Sequence, residues 1–439
     1  MSKKPIEKEK GMSKEDIKLQ TPKGMRDLIG EEYYRYQGFF EKAAEVAIYY
    51  GFQPIETPIL ESEGLFYHSV GAHTDIIEKE LYTLRTKGGD RLALRPEGTA
   101  PIMRAYFEHG WQNQPQPVML YYHGPFFRHD NPQKGRYREL RQFGLEVIGS
   151  SKSITDALVI RLVSTILAEA GLPGLTIEIN SIGDRDCRPF WKRELVNYYR
   201  KQAKEICADC RERLKDNPLR LLDCKQPKCQ ALKAAAPSVI SYLCTACKQH
   251  FKEVLECLEA MNITYTINNN LVRGLDYYSR TIFEVSMAIA EGEPGLALAG
   301  GGRYDYLARA LGSKKQVPAV GAAIGADRVL AAPDVANLLP RLIKKPKIFF
   351  IQLGAEAKMK SLSVIEILRH AKMPVAHSLS KDSHSAQLGL AEKINIPYAM
   401  ILGQKEVIDN TVIVRDMRTR AQDVVKLDSL ANYLKTLKS

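Results

Sequence analysis

The pattern that most restricts the fold is a series of strand-like runs with hairpin-like spacing. Residues 80–95, 117–127 and 137–148 are strand-like, and Gly and Pro punctuate the segments between them. Parallel strands need a crossover of about a dozen residues or more, whereas antiparallel strands are joined by short turns. The pattern therefore predicts an antiparallel sheet.

A helix and an edge strand are predicted before this sheet. From Glu31 to Tyr50 the apolar and aromatic positions recur at helical spacing, and Gly51 follows where a helix often ends. Residues 52–60 resemble a strand that contains Pro54 and Pro58. Because proline cannot donate to a strand ladder, we expect this strand at an edge or an interface.

The rest of the chain predicts a multidomain α+β protein. We expect a disordered tail at 1–20, a catalytic core at 21–184 and 263–333, a helical Cys-rich insertion at 185–262 and a linker at 334–346. Residues 347–439 alternate strands with helices, which predicts a compact α/β domain with a mixed sheet. Its predicted strands are 348–353, 375–378, 398–402 and 411–414.

Composition is that of an ordinary globular protein, with 45% hydrophobic and 26% charged residues among 439. The sequence has neither an apolar run of membrane-spanning length nor a signal sequence, so we expect a cytoplasmic protein without a membrane partner. Of the net charge of +12, a surplus of eight lies between Arg341 and the C-terminus. A basic C-terminal domain favours a nucleic-acid partner, although such a surplus is also typical of a soluble lysine-rich surface.

Six cysteines in the insertion form three pairs, and two of these pairs have the C-x-x-C spacing of zinc knuckles. We predict that Cys207, Cys210, Cys244 and Cys247 bind one structural Zn²⁺. Cys224 and Cys229 are alternative partners for either knuckle. Disulfides are the poorer explanation in a cytosolic protein, and reduced thiols without metal are the competing interpretation. His250 is expected on a helix surface.

The run from Leu271 to Val285 places an arginine and two tyrosines in a strand-forming segment. Since successive strand residues face opposite ways, Tyr277 and Tyr278 are expected on opposite faces. Arg273 offers a fork of donors suited to phosphate or carboxylate. The alternative is an amphipathic strand with a solvated arginine and tyrosines in the core.

Two more segments combine charged and polar groups. Glu97 and Thr99, on either side of Gly98, would hold an ammonium group at the end of a strand. Residues 126–146 predict a hairpin in which Arg128, Gln142 and Glu146 face one another. Its tip carries Lys134, Arg136 and Arg138, and a solvated hairpin is the alternative.

Two glycine-rich segments indicate close backbone approach. Residues 299–305 contain three consecutive glycines, and residues 321–328 join a small-residue strand to a helix that carries Arg328. The chain lacks the G-x-x-x-x-G-K-[ST] phosphate loop. If a nucleotide binds, arginine side chains must hold its phosphates.

Together these segments resemble the histidyl-tRNA synthetases, a family of class II aminoacyl-tRNA synthetases. Residues 271–278 and 299–305 are similar to the two histidine-specific signatures of that family. Residues 51–61, 127–146 and 321–328 are similar to the first, second and third class II motifs. The resemblance extends from Thr21 to Leu437.

The resemblance implies a six-stranded antiparallel catalytic sheet, a homodimer formed through the first motif and a C-terminal anticodon-binding domain. It also implies ATP with Mg²⁺, L-histidine, and the acceptor stem and anticodon of histidine tRNA as ligands. By position, Arg128 and Arg273 would be the catalytic residues and, with Arg328, would hold ATP. The implied histidine-binding residues are Glu97, Gly98, Thr99, Gln142, Glu146, Tyr277 and Tyr278.

Five positions depart from the family pattern. Asp327 stands where Glu is usual, Asn131 where Arg is usual and Tyr306 where Gly is frequent. Leu140 and Arg141 stand where Phe-His is common. The shorter Asp327 could change how Arg328 is braced, and Asn131 removes one contact to ATP or to the acceptor stem.

Two other functions compete with the ligase. The synthetase-like regulatory subunit of ATP phosphoribosyltransferase typically lacks the anticodon domain and several signature residues. This chain contains the domain as well as the signature residues. A nucleic-acid-binding module with a retired active site would have lost the Arg128, Arg273 and Arg328 set. The intact set favours the ligase.

Overall fold

The computed structural model of the chain describes residues 19–71, 74–131, 135–288, 295–332, 335–341, 346–378 and 380–437. The chain divides into two compact units, Met1–Pro340 and Arg341–Ser439. The predicted tail at 1–20 falls mostly outside the described ranges, as does part of the predicted linker at 334–346.

The first unit contains a large sheet with helices around it. Its helices are α1 (Gly30–Tyr49), α2 (Glu63–Val70), α3 (Thr99–Glu108), α4 (Ser153–Glu169), α5 (Arg188–Lys201), α6 (Ala208–Asp216), α7 (Pro227–Lys233), α8 (Thr245–Ala260), α9 (Leu307–Ala310) and α10 (Ala326–Ala331). Its strands are β1 (Gln53–Pro54), β2 (Leu60–Ser62), β3 (Thr83–Arg85), β4 (Arg91–Leu94), β5 (Val118–Phe127), β6 (Glu139–Ile148), β7 (Leu175–Ser181), β8 (Thr266–Ile267), β9 (Ser279–Met287), β10 (Leu296–Arg303) and β11 (Ala319–Gly325).

The large sheet has the order β1-β5-β6-β11-β10-β9-β7-β8, and β2, β4 and β3 form a separate small sheet. Each neighbouring pair among the six inner strands, β5 to β7, is antiparallel. The short outer strands β1 and β8 pair in parallel with their neighbours. The predicted antiparallel sheet is therefore confirmed for the runs at 117–127 and 137–148, with a short parallel strand added at each edge. The predicted run at 80–95 instead forms β3 and β4 of the small sheet.

Side-chain alternation along the inner strands gives the sheet one apolar face and one face that carries polar groups. On β6, Phe143 and Leu145 enter a hydrophobic core that also contains residues of α1, α4 and α8. Gln142 and Glu146, which alternate with them, lie on the opposite face. Helices α1, α4 and α8 thus cover one side of the sheet, while α3 and α9 pack on part of the other side, next to the polar groups.

Helix α1 follows the prediction, since it ends at Tyr49 and Gly51 adopts a φ of +86° two residues later. The predicted strand at 52–60 is only partly present. Its first part, β1, is an edge strand as expected, but the chain then leaves the large sheet, and β2 pairs with β4 instead. Proline in this segment removes ladder donors, which favours the break.

The prediction of one strand from Leu271 to Val285 is wrong in its first half. Residues 271–278 form turns and irregular backbone, and β9 begins at Ser279. The backbone amide of Leu271 is bonded to the carbonyl of Asn268, and that of Asp276 to the carbonyl of Val70. These hydrogen bonds satisfy backbone amides without strand pairing. Aromatic and β-branched composition alone is therefore not sufficient to predict a strand here.

The insertion between β7 and β8 is helical, as predicted, and has a small core of its own. Trp191, Leu195 and Tyr199 of α5 pack there against Ile206 and six cysteines of this region. Its last helix, α8, also packs against α4 through Phe251, so it joins the main core. No helix of the described residues combines the length and apolar character needed to span a bilayer.

The second unit consists of β12 (Ile348–Gln352), α11 (Ala355–His370), β13 (Val375–His377), α12 (His384–Lys393), β14 (Tyr398–Leu402), α13 (Gln404–Ile408), β15 (Thr411–Asp416), β16 (Gln422–Lys426) and α14 (Leu430–Thr436). Its sheet has the order β13-β12-β14-β15-β16. The first three strands are parallel, and the last two are added antiparallel. The predicted mixed sheet and its strands are confirmed, and β16 is an additional strand.

Candidate active site

A pocket of about 350 Å³ opens on the polar face of the large sheet. Strands β6, β9, β10 and β11 contribute to it, together with the start of α3 and the loop before β9. The predicted site residues that line it are Glu97, Gly98, Thr99, Arg128, Gln142, Arg273, Tyr277, Tyr278 and Arg328. Residues separated by more than 200 positions in the sequence therefore meet in one cavity.

Glu97 stands at the beginning of α3. Its carboxylate accepts hydrogen bonds from the backbone amides of Thr99 at 2.7 Å and Ala100 at 2.9 Å. A helix N-terminus favours negative charge, yet burial dominates and raises the pKa of Glu97. The hydroxyl of Tyr277 lies 3.4 Å from the same carboxylate. A cation entering the pocket would find an anchored acceptor here.

Glu146 lies beneath the pocket, only 1% exposed. Three hydroxyl groups surround its carboxylate, from Tyr304 at 2.5 Å, Thr99 at 2.9 Å and Tyr122 at 3.1 Å. Burial raises the pKa of Glu146 to about 8, although the hydroxyl hydrogen bonds lower it. This carboxyl group, held by hydroxyl donors, forms a floor beneath the pocket and is not itself among the residues that line it.

Glycines allow this floor to form. A Cβ on Gly98 or Gly144 would overlap the ring of Tyr122, so the ring is enclosed by the two backbones. A Cβ on Gly321 would overlap the carboxylate of Glu146. The absence of side chains at these three positions is required by close approach and not by unusual backbone angles.

Tyr277 and Tyr278 do not face opposite ways, contrary to prediction. Because they precede β9, strand alternation does not apply to them. Both rings are buried, with their centroids 4.8 Å apart, and both line the pocket. Together with Tyr304, whose ring is 5.8 Å from that of Tyr277, they form an aromatic wall.

Arg273 lies over β10 beside this wall. It donates to the carboxylate of Glu284 at 3.0 Å, and its guanidinium is 5.9 Å from the ring centre of Tyr278. A Cβ on Gly300 would overlap the guanidinium. The glycine run at 300–302 therefore lets Arg273 lie flat on the sheet, which agrees with the close approach expected from sequence.

Arg128 and Arg328 place further positive charge in the pocket. Arg128 donates to the carbonyl of Pro96 at 2.8 Å, and Arg328 to that of Ala297 at 2.8 Å. Among the residues that the structure describes, neither guanidinium has a carboxylate within salt-bridge distance. Burial, followed by the nearby charge of Arg136, lowers the pKa of Arg328. An anion bound here would relieve that repulsion.

The hairpin residues are arranged differently from the prediction. In the β5–β6 register Gln142 faces Gly124 and Glu146 faces Leu120, while the backbone amide of Arg128 donates to the carbonyl of Arg138. Arg128, Gln142 and Glu146 therefore do not face one another across the hairpin. Of the predicted tip residues, Arg136 lines the pocket, and Lys134 lies outside the described residues.

Asp327 does not brace Arg328 directly. Its carboxylate accepts from the hydroxyl of Tyr36 at 2.7 Å and from the backbone amide of Arg141 at 2.6 Å. It therefore links α10 to α1 and β6, and the Ala297 carbonyl holds Arg328 instead. Of the other departures, Tyr306 lies against the guanidinium of Arg185, 4.2 Å from its ring centre.

Among the pocket residues without a role assigned from sequence, Tyr122, Tyr304 and Glu284 contact predicted site residues. Tyr304 lies within the glycine-rich segment 299–305, and Glu284 lies in the 271–285 run. The sequence therefore indicated both segments but not which groups these two side chains contact. Tyr122 offered no signal, because its hydroxyl meets Glu146 only through the β5–β6 pairing.

Arg303, in the same glycine-rich segment, is a structural residue. It is fully buried and donates to Asp156 at 3.1 Å and to Asp305 at 3.1 Å. His250, which was expected on a surface, is buried and lies 3.2 Å from the same Asp156 carboxylate. The insertion helix α8 is thereby joined to the end of β10.

Seven of the eight cysteines lie in two groups; the two knuckles are not placed together, and the first knuckle instead meets the alternative partners Cys224 and Cys229. Cys207, Cys210, Cys224 and Cys229 form one cluster, and Asp184, Cys187, Cys244 and Cys247 form another. In each cluster the ligand atoms lie within 4.8 Å of one another. The knuckles separate because the first begins α6, whereas the second begins α8 and packs against the segment after β7.

The six-stranded antiparallel sheet, with a carboxylate floor beside three arginines, defines the catalytic domain of a class II aminoacyl-tRNA synthetase. A family model for histidyl-tRNA synthetase matches residues 24–329, and one for an anticodon binding domain matches residues 347–437. The chain belongs to the histidyl-tRNA synthetase family.

Individual relatives agree with this assignment. The chain is 40% identical to a histidine–tRNA ligase of Dehalococcoides mccartyi over 416 residues, which cover 95% of the chain and 99% of the relative. Its structure resembles that of apo histidyl-tRNA synthetase from S. aureus, with a TM-score of 0.78, 30% identity and coverage of 95% and 100%. A Bacillus halodurans C protein described as an ATP phosphoribosyltransferase regulatory subunit/histidyl-tRNA synthetase, 22% identical with a TM-score of 0.61, shares the fold over 88% of this chain and 98% of its own.

Proposed function

We propose that this protein activates L-histidine with ATP and then transfers the histidyl group to histidine tRNA. One observation carries the proposal for the site: the Glu97 carboxylate and three arginines line a single pocket, and the carboxyl group of Glu146 lies directly beneath it. The floor suits an imidazole and an ammonium group, and the wall suits phosphates. Family membership supports ATP-dependent histidine–tRNA ligation as the reaction.

The amino-acid end of the substrate would lie against Glu97, Thr99 and Glu146. Glu97 and Thr99 would bind the ammonium group, while Glu146 and Gln142 would accept from imidazole N–H groups. Tyr277 and Tyr278 would enclose the ring. A buried acceptor rejects a side chain that leaves it unpaired, which is the physical source of the proposed specificity.

The arginines would act on ATP. The histidine carboxylate attacks the α-phosphorus, a new oxygen–phosphorus bond forms and pyrophosphate leaves. Arg128 and Arg273 would offset the charge that develops on the α-phosphate, and Arg328 would hold the distal phosphates. Positioning and preorganised charge are sufficient for this step without a protein nucleophile.

Mg²⁺ would accompany ATP into this pocket. The carboxylates of Glu80, Asp130 and Glu284 line it and are the oxygen ligands that Mg²⁺ takes together with substrate phosphates. When bound, the ion would offset phosphate charge. Among these carboxylates, Glu284 also accepts a hydrogen bond from Arg273 at 3.0 Å.

The tRNA would contact both units. The C-terminal unit matches an anticodon-binding model and carries the surplus of eight positive charges. The hairpin between β5 and β6, with Arg136 at the pocket and Arg138 beside it, would approach the acceptor stem. Such contacts go mainly to phosphates and should weaken with salt.

Exposed apolar residues support the proposed homodimer. Ile59, Leu60, Tyr67 and Leu84 are all more than a third exposed, and they lie in or near the segment that resembles the first class II motif. Exposed apolar side chains that gather on one surface are typical of interfaces. We expect wild-type protein to sediment as a dimer and Leu60→Asp to weaken the association. A monomeric wild type at micromolar concentration would contradict the proposal.

The insertion would bind a structural Zn²⁺ through Cys207, Cys210, Cys224 and Cys229. The sulfurs of Cys207 and Cys224 are 3.9 Å apart, close to the roughly 3.8 Å between ligands of a tetrahedral ion with Zn–S bonds of about 2.3 Å. The Cys210 amide donates to the Cys207 sulfur at 3.4 Å, and the Cys207 amide to the Cys229 sulfur at 3.3 Å. Amide donors of this kind stabilise thiolates.

The deciding experiment is ATP–pyrophosphate exchange with each common amino acid. We expect exchange with histidine alone, followed by charging of histidine tRNA. The proposed location of this reaction is the cytoplasm, where translation uses the product. The rival regulatory function predicts no exchange together with stimulation of ATP phosphoribosyltransferase. Exchange with a second amino acid at comparable efficiency would contradict the proposed specificity.

A further inference from the structure

The second cluster of metal-binding side chains joins the insertion to the catalytic sheet. Asp184 and Cys187 follow β7, whereas Cys244 and Cys247 stand at the beginning of α8, about 60 residues later in the chain. Their four ligand atoms lie within 4.8 Å of one another, and all but Cys244 are buried. The two contributing segments are therefore brought together by tertiary structure alone.

Both segments have the spacing of a metal knuckle. Cys244 and Cys247 form a C-x-x-C pair, and Asp184 and Cys187 form a D-x-x-C pair with the same separation. The backbone amide of Cys187 donates to Oδ1 of Asp184 at 3.4 Å, as the amide of Cys210 does to the sulfur of Cys207 in the other cluster. The second cluster thus repeats the local geometry of the first, with a carboxylate in place of one thiolate.

Two neighbouring residues, Gly183 and Arg280, lie against this cluster. Gly183 has a φ of +66°, and a Cβ there would stand 2.7 Å from the Cys187 sulfur. Arg280 lies 3.5 Å from the outer oxygen of Asp184. Three thiolates, a carboxylate and Zn²⁺ carry a net charge of about −2, which this arginine would partly neutralise.

We propose that Asp184, Cys187, Cys244 and Cys247 bind a second Zn²⁺, which fastens the insertion to the catalytic sheet. The ion would hold the segment that begins α5, where Arg188 donates to the carbonyls of Gly183 at 3.0 Å and Tyr278 at 2.6 Å. Tyr278 belongs to the aromatic wall of the pocket. The centre therefore supports the histidine side of the site from outside it.

The test is the zinc content of the full-length protein purified without chelator. We expect two zinc ions per chain in the wild type, one in Cys187→Ser and one in Cys210→Ser. Cys257→Ser is the matched control, because Cys257 belongs to neither cluster, and it should retain two. If the wild type contained one zinc ion and Cys187→Ser also contained one, the second site would be overturned. The four-cysteine site would be unaffected.

X-ray absorption at the zinc edge gives an answer that does not depend on a variant folding. With both centres filled, two ions share seven sulfur ligands and one oxygen ligand. An all-sulfur environment would overturn the assignment of Asp184, and a zinc-free wild type would overturn both centres. Counting thiols in unreduced, denatured protein tests for disulfides. Disulfide bonds among the cluster cysteines would also overturn the second zinc site. None of these outcomes bears on histidine-dependent pyrophosphate exchange, which tests the ligase function separately.

Discussion

Glu146 and Gly321 face each other across strands β6 and β11, and the carboxylate of Glu146 occupies the space that a side chain on Gly321 would need. This pairing places a buried acceptor in the floor of the pocket. It also explains why a small residue is required at a position far from Glu146 in the sequence.

Gly321→Ala should displace the Glu146 carboxylate and impair histidine activation on the order of 10²-fold, because catalysis is sensitive to misplacements of about 1 Å. Pyrophosphate exchange measures the loss. Gly389→Ala in α12 is the matched control, since a Cβ there meets no atom within 4 Å. It should keep full activity and gain up to about 1 kcal/mol of stability. An active Gly321→Ala enzyme would remove Glu146 from the proposed site.

Arg273→Ala should slow adenylate formation by roughly 10²–10³, since removing one preorganised donor typically has this effect. The affinity for histidine should change much less, because the charge that Arg273 offsets develops in the transition state. Single-turnover activation separates the two quantities. Arg193→Ala, whose side chain is 67% exposed on α5, serves as the control for loss of one arginine. Near-normal activation by Arg273→Ala would refute the role.

Glu146→Gln should change the pH dependence of stability. Burial raises the pKa of Glu146 from 4.5 to about 8, so between these values the folded state holds a proton that the unfolded state has lost. Wild-type stability should therefore fall as pH rises through this window, by up to about 1.4 kcal/mol per pH unit relative to Glu146→Gln.

Urea unfolding of both proteins at several values between pH 5 and pH 9 measures this difference, and other carboxyl groups cancel in the comparison. The two stability curves should diverge up to about pH 8 and run parallel above it. Parallel curves over the whole range would mean that Glu146 ionises normally in the folded protein.

Ending the chain at Pro340, the boundary between the compact units, should leave histidine activation largely intact and weaken tRNA charging. The loss should appear mainly in tRNA affinity, and the dependence of binding on salt should become shallower, because fewer phosphates are contacted. The truncated protein must first be shown to be folded and to self-associate as the full chain does. Unchanged charging with the same salt dependence would rule out the anticodon-binding role.

Most secondary structure followed from local pattern. The helical repeat of α1 with Gly51 behind it, the hairpin spacing of β5 and β6, and the strand β14 at Tyr398–Leu402 were all predicted correctly. Each depends on periodicity or turn residues within a short window. Where local pattern failed, at 271–278, a turn bond from Leu271 to Asn268 and a tertiary hydrogen bond from Asp276 to Val70 replaced the ladder that the composition suggested.

The sequence by itself determined the chemistry that this protein carries: the arginines, carboxylates, tyrosines and cysteines that any arrangement must use, and the order of the family motifs. Only the tertiary structure decided which of them meet. Tyr277 and Tyr278 share one wall, Tyr304 and Tyr122 bond to Glu146, and the cysteines divide into two clusters. These contacts join segments that are far apart in the chain. Strand pairing and helix packing determine them, and neither can be predicted from a short stretch of sequence.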